Sequence, residues 1–282
     1  MAHDKFGVDL DAQYVVTQTI ENYSKVSKDI SSIKISHTQR SNRPLVFIHT
    51  DEDQGVIFQE IISTKIENKK LKFSRPNEIS LSMSIARKSL ERSREIRRGI
   101  LKDFGNEKKK DIFDEKVIDV YDYLEEVQKT IIFSYKAIES LCNSAIPSDY
   151  TYKKQLTKKG IHEVYDKSAI ERWLTTAEKV SIILPEIYKC TSPAKKNFWG
   201  HFKKLEELRN DIIHSKSSST SKLLSELLSS DVDKYFKSCE DMLLYFYNLD
   251  KQNPMFPLMS GVSEIVFFEW EDMNSAVKKI ND

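Results

Sequence analysis

The sequence predicts a mainly α protein, a C-terminal helical bundle joined to a smaller α or α+β N-terminal region. Three observations carry this. Between Asp114 and Ala145 apolar residues recur at three-and-four spacing for about eight turns, the strongest period in the chain. Seven glycines and seven prolines in 282 residues are few for a turn-rich β-sandwich. An apolar content of 39% with 31% charged residues suits a helical domain with a real core. The length allows one large domain or two ordinary ones. The natural division is residues 1–110, an N-terminal region, residues 111–250, the helical domain, and residues 251–282, a tail docking on the core.

In order along the chain, residues 10–30 read as a weakly amphipathic helix. Arg43 to His49 is a short β-branched and aromatic run between polar punctuation, and reads as a strand. Val56 to Ile62 is ambiguous between strand and helix. A helix is expected after Asn77, a good capping residue, with Ile79, Met83, Ala86 and Leu90 as its stripe and Gly105 as its stop. The polar run Asn106–Asp111 reads as a linker.

The long helix from about Asp114 carries Val117, Val120, Tyr121, Leu124, Val127, Ile131, Tyr135, Ile138, Leu141 and Cys142 inward, and Pro147 ends it. Lys153 to Gly160 reads as a Lys-rich loop. Ser168 and Glu171 form a capping box for a helix that buries Trp173, Leu174, Ala177, Val180 and Leu184. Ser192–Pro193 is expected to open the next helix, with Phe198, Phe202, Leu205, Leu208 and Ile212 buried. Ser215 to Ser221 is a Ser-rich loop, and a last helix spans about Asp231 to Asn248. The apolar tail segment Glu264–Trp270 reads as a strand docking on the N-terminal part.

Charge is nearly balanced, at a net +1, so the chain is not a constitutively sticky nucleic-acid coat. Its distribution is uneven. Lys65 to Lys110 holds fifteen Lys or Arg against six Asp or Glu, whereas Asp111 to Gln128 holds seven acids against one lysine. The blocks either pair with each other or with another subunit, form a basic groove beside an acidic wall, or are two solvated faces. The basic stretch Arg87 to Lys102 is a candidate RNA guide, without interleaved aromatics for base stacking. No apolar run is long enough for a membrane span, and Met1–Lys5 lacks a signal-peptide layout. Cys142, Cys190 and Cys239 have no metal-like spacing, and each lies in an apolar segment. They read as buried thiols of a reducing cytoplasm.

The candidate chemistry lies at Arg209, Asn210 and His214, with four residues between arginine and histidine. Arginine is a permanent cation whose planar fork grips phosphate oxygens at two points. Histidine suits proton transfer near neutrality. Together they suffice to break a phosphodiester without a metal. The plainer reading is a helix C-terminus with basic side chains near the negative end of its dipole. On an ideal helix Arg209 and His214 lie about 140° apart, so they do not share a face, whereas Asn210 and His214 do. Either the helix loosens near His214, or two copies face each other across a two-fold axis and pool two Arg and two His.

This pattern closes an aromatic-rich helix (Phe198, Trp199, Phe202) and follows a long helix containing Phe133 to Leu141. Over roughly residues 112–250 the chain resembles the HEPN superfamily, whose signature is an arginine, often followed by asparagine, and a histidine shortly after. The resemblance implies a helical domain that dimerises around a composite site. It also implies an endoribonuclease of toxin or abortive-infection (antiviral) type, held in check by an antitoxin or regulatory partner, with residues 1–110 as the candidate sensor or brake.

The implied reaction is attack of the RNA 2′-hydroxyl on the adjacent phosphorus, with no metal and no cofactor. Arg209, Asn210 and His214 would be the catalytic residues. Lys216 and Ser217, in a loop that is otherwise a plain connector, would grip the RNA backbone. His201 would flank the cleft, or is a surface histidine, and Glu139 is the polar residue of the long helix that would face the site. The alternative from another class is a HEPN fold that dimerises, or binds a nucleotide or partner protein, without turnover.

Overall fold

The computed structural model describes residues 13–21, 40–49, 51–155, 162–214, 220–251, 253, 255–257 and 266–269. It is mainly helical with a small sheet region. The strands are β1 (Gln13–Glu21), β2 (Leu45–His49), β3 (Gln54–Ile66), β4 (Lys69–Ser74), β5 (Tyr152–Gln155), β6 (His162–Tyr165) and β7 (Val266–Glu269). The helices are α1 (Glu78–Phe104), α2 (Val117–Ala145), α3 (Lys167–Trp173), α4 (Thr176–Glu178), α5 (Leu184–Ile187), α6 (Trp199–Ile213), α7 (Thr220–Leu227) and α8 (Val232–Tyr247). A π-turn, Lys179–Ile183, joins α4 to α5.

The chain forms two compact units, interleaved in sequence rather than divided at residues 110 and 250. One comprises Met1–Leu81, Ser144–Arg172 and Leu244–Asp282; the other comprises Ser82–Asn143 and Trp173–Leu243. The interleaving has a visible cause in the first unit, where β7 from the tail pairs in parallel with β2 near the N-terminus.

In the first unit the strands lie in the order β1-β3-β2-β7, with β4 also paired to β3. Leu45, Val46, Phe47 and Ile48 are all buried, so this strand is covered on both faces and reads as an unbroken apolar run. Phe47 packs edge-on against Phe58, with ring centroids 5.5 Å apart. A polar cluster ties the sheet to the start of α1. Asn77 Oδ1 accepts from the Ser80 N–H at 3.1 Å, and Asn77 Nδ2 donates to Asn42 Oδ1 and to the Met255 carbonyl. Arg43 donates to the carbonyls of Phe256 and Lys251 and lies over the Tyr247 ring.

Residues 13–21 are a strand, not the helix expected there; residues 22–30 lie outside the described residues. Val15, Val16, Thr17 and Thr19 are β-branched, and antiparallel pairing with β3 satisfies a backbone whose side chains are poor helix formers. Tyr152–Gln155 is likewise a strand, paired with β6, where a loop was expected.

In the second unit Met83, Ala86 and Leu90 of α1, Val127, Ile131, Ile138 and Leu141 of α2, and Val232, Phe236 and Met242 of α8 are buried together with Phe202, Leu205 and Leu208 of α6. Arg87 pairs with Glu240 at 2.5 Å and Arg94 with Asp233, so two cations of the basic helix pair with acids of α8. Tyr123, rather than Tyr121, is the buried tyrosine of the first turns of α2, donating to the Leu227 carbonyl at 3.2 Å. Cys142 and Cys239 are buried, whereas Cys190 is half-exposed.

The helix expected after Ser168 is broken. Asp166, not Ser168, accepts from the Ala169 N–H, at 2.7 Å, in the first turn of α3. The run stops at Trp173, whose side chain is 66% exposed, and restarts at α4 with Thr175 as cap. Ser192 caps only the short turn Pro193–Lys195, and α6 begins at Trp199. Among the described residues no helix is long and apolar enough to cross a membrane.

Candidate functional site

Helix α6 carries Arg209 and Asn210 in its last turns, and His214 is its C-cap. Phe202, Leu205 and Leu208 bury one face of it. The next residue round the same side, Arg209, is therefore half-buried, while Asn210 and His214 are exposed. The helix ends at Ile213. His214 has φ −113° and ψ 42°, outside the helical region, while its N–H still donates to the Asn210 carbonyl at 2.9 Å. The ideal-helix angle between Arg209 and His214 thus no longer fixes where the imidazole points.

The Arg209 guanidinium sits 5.0 Å from the centroid of the Tyr135 ring, and its Nη1 donates to Asn210 Oδ1 at 3.0 Å. Tyr135, on α2, stacks on Phe202 with 9° between the ring planes, so the surface under the arginine is rigid. Its hydroxyl donates to Glu206 Oε1 at 3.0 Å. The same oxygen accepts from the Ala177 N–H at 3.2 Å, and Lys203 pairs with the other carboxylate oxygen. Glu206 is only 6% exposed and is satisfied on both oxygens, as a buried carboxylate must be. Burial is the main cause that raises the Tyr135 phenol far above its ordinary pKa, with the Glu206 charge adding to it and a Thr176 hydrogen bond opposing it; the group stays a neutral donor.

An open cleft of about 520 Å³ runs along this helix, lined by Gly200, Lys203, Lys204, Glu206, Glu207 and Asn210. His201 faces elsewhere, 6.3 Å from the Tyr235 ring, in a second cleft with Arg94, Asp233 and Lys237. Glu139 is half-buried on α2, one turn beyond Tyr135, and among the described residues it makes no hydrogen bond or ion pair with Arg209, Asn210 or His214. Lys216 and Ser217 lie outside the described residues. The structure therefore joins Arg209 to Asn210, leaves His214 beside them at the helix end, and places His201 in a different cleft.

The support beneath Arg209 forms no sequence motif. Its signal was an acid, Glu206, lying between Leu205 and Leu208 on the apolar stripe of α6. A carboxylate on a buried stripe needs donors, and Tyr135, Ala177 and Lys203 are those donors. Among the described residues no group of three or more His, Cys, Asp or Glu is arranged to hold a metal ion. Comparison with family models, with curated proteins and with solved structures gave no match for this chain.

Proposed function

We propose that the chain is a metal-independent endoribonuclease of HEPN type, acting on RNA in the cytoplasm. The observation that carries the reading is the end of α6, where Arg209, seated on Tyr135 and bonded to Asn210, adjoins a solvent-facing His214. In this reading the guanidinium binds the scissile phosphate and stabilises charge on its oxygens as the transition state forms. His214 takes the proton from the 2′-hydroxyl or gives one to the leaving 5′-oxygen, an effect worth roughly 10²- to 10⁴-fold. Asn210 orients the arginine. The new bond joins the 2′-oxygen to phosphorus and the bond to the 5′-oxygen breaks, leaving a 2′,3′-cyclic phosphate and a free 5′-hydroxyl.

Two copies facing across a two-fold axis would complete the site, since within one chain Arg209 is turned onto Tyr135. Indiscriminate RNA cleavage kills its host, so the cellular role in this reading is that of a toxin or antiviral effector restrained by a partner. The test is incubation of the purified protein with RNA in the presence of a chelator. Cleavage by wild type that is lost in His214→Ala supports the reading. RNA binding without cleavage, unchanged by His214→Ala, overturns it in favour of a binding module without turnover.

A further inference from the structure

The β3–β4 hairpin carries a charge pattern that the site on α6 does not use. As far as Ile61, β3 is paired with β1 or β2; from Ile62 to Ile66 its partner among the described residues is β4. Every residue from 62 to 74 is exposed, so this part is a two-stranded ribbon with both faces in solvent. The register sorts its side chains. Ile62 lies opposite Phe73 and Thr64 opposite Leu71 on one face, while Ser63 lies opposite Lys72 and Lys65 opposite Lys70 on the other.

Three ammonium groups therefore share one face, two of them in a direct cross-strand pair. Like charges so placed destabilise a ribbon. Among the described residues, no carboxylate pairs with Lys65, Lys70 or Lys72, and Glu67 is the sole acid between residues 62 and 74. The neighbouring cation Arg75, by contrast, is held by Glu60 at 2.6 Å. Lysines do guard an edge strand against pairing with another chain. That purpose leaves unexplained why two of them oppose each other on one face. A polyanion laid along that face relieves the repulsion.

We propose that the Lys65–Lys70–Lys72 face of this hairpin binds the phosphate backbone of nucleic acid, without reading its sequence. Lysines act as point charges on phosphates, and the face holds no arginine, asparagine or glutamine to reach base edges. The inference stands on the ribbon alone, whether or not Arg209 and His214 cut RNA.

The test is fluorescence anisotropy of the full chain with a short labelled single strand. It is run as DNA, which lacks the 2′-hydroxyl and stays intact, and as RNA of the same length. The variant Lys65→Gln/Lys70→Gln/Lys72→Gln is expected to weaken binding at low salt at least about tenfold. It should lower the slope of log K against log salt by about 2, since each phosphate contact on a single strand contributes about 0.7. A control triple, Lys153→Gln/Lys189→Gln/Lys195→Gln, should change affinity by less than about twofold. Removing the repulsion should leave the melting temperature unchanged or raised, and single Lys72→Gln gives a second variant with a slope change of about 0.7. Unaltered affinity and slope would mean the lysines only guard the edge, and would overturn the proposal. Binding of phosphatidylserine vesicles through the same lysines, without oligonucleotide binding, would overturn it equally.

Discussion

Arg209 has two attachments of different worth. Its position over Tyr135 is a cation–π contact at a partly exposed site, worth about 0.5–1 kcal/mol, and its bond to Asn210 lies at the surface. His214 is exposed at a helix end. Arg209→Ala should therefore lower stability by about 1 kcal/mol and His214→Ala by less than about 0.5 kcal/mol. Both should abolish RNA cleavage, as read by thermal melting beside a gel assay. A variant that cleaves like wild type removes its residue from the proposed chemistry. Glu206 is the opposite case. Truncating it to Ala leaves the Tyr135 hydroxyl and the Ala177 N–H without their acceptor in a buried place, and each such loss costs about 1–3 kcal/mol. The expected result is a fall in denaturant midpoint several times larger than that of His214→Ala. An equal fall would mean that this network contributes nothing to holding α6.

At the scale of elements, Asn77 concentrates much of what fixes the start of α1. It caps the Ser80 N–H and donates to Asn42 and to the Met255 carbonyl. Asn77→Ala should cost about 1–2 kcal/mol, and Asn77→Asp, which keeps the cap acceptor but loses both donations, should recover part of it. Chemical denaturation of the three proteins checks this, and an Asp variant as weak as Ala would show that the cap is the lesser part.

Where period was strong the elements were legible. Ile79, Met83, Ala86 and Leu90 are all buried, as are Val127, Ile131, Ile138 and Leu141. Where a strand's partners lie far off in sequence, legibility failed. β1 pairs with residues about forty positions away, and nothing near Tyr14 announces that pairing. The cap of α3 was misread because Ser168 and Asp166 are both good caps, and spacing alone does not choose between them. In the candidate site Arg209, Asn210 and His214 were legible as a motif. The platform of Tyr135 and Glu206 was not, because it joins residues seventy-one positions apart on different helices.

The whole molecule should be sensitive to alkali. Burial pushes the Cys142 thiol up to about 12, from an ordinary value of 9.0, and raises the Cys239 thiol and the Tyr135 phenol as well. Each group keeps its proton in the folded state at pH values where the unfolded chain has lost it. The stability linked to them is fully present below the unfolded pKa and is lost as pH rises through the folded one. Between about pH 6 and pH 8 the unfolding free energy should hold steady, and it should decline from about pH 9 upward. Over the same range Cys190, half-exposed, should react with a thiol reagent in the native protein while the two buried cysteines do not. A stability profile flat to pH 11 would show that these groups open to water without unfolding.

In the reaction proposed for this chain, RNA is cut by its own 2′-hydroxyl, with Arg209 and His214 as the groups that hold phosphate and move the proton. A single 2′-deoxy substitution at a mapped cleavage position, assayed in chelator, tests it most directly. Removing that hydroxyl removes the nucleophile while leaving the phosphate, the neighbouring bases and every binding contact to them in place. Cleavage should then stop at that position alone, while other positions still yield 2′,3′-cyclic phosphate ends. Cleavage persisting at the deoxy position, or appearing only when magnesium is supplied, would contradict it, because neither guanidinium nor imidazole is a ligand suited to a hard cation.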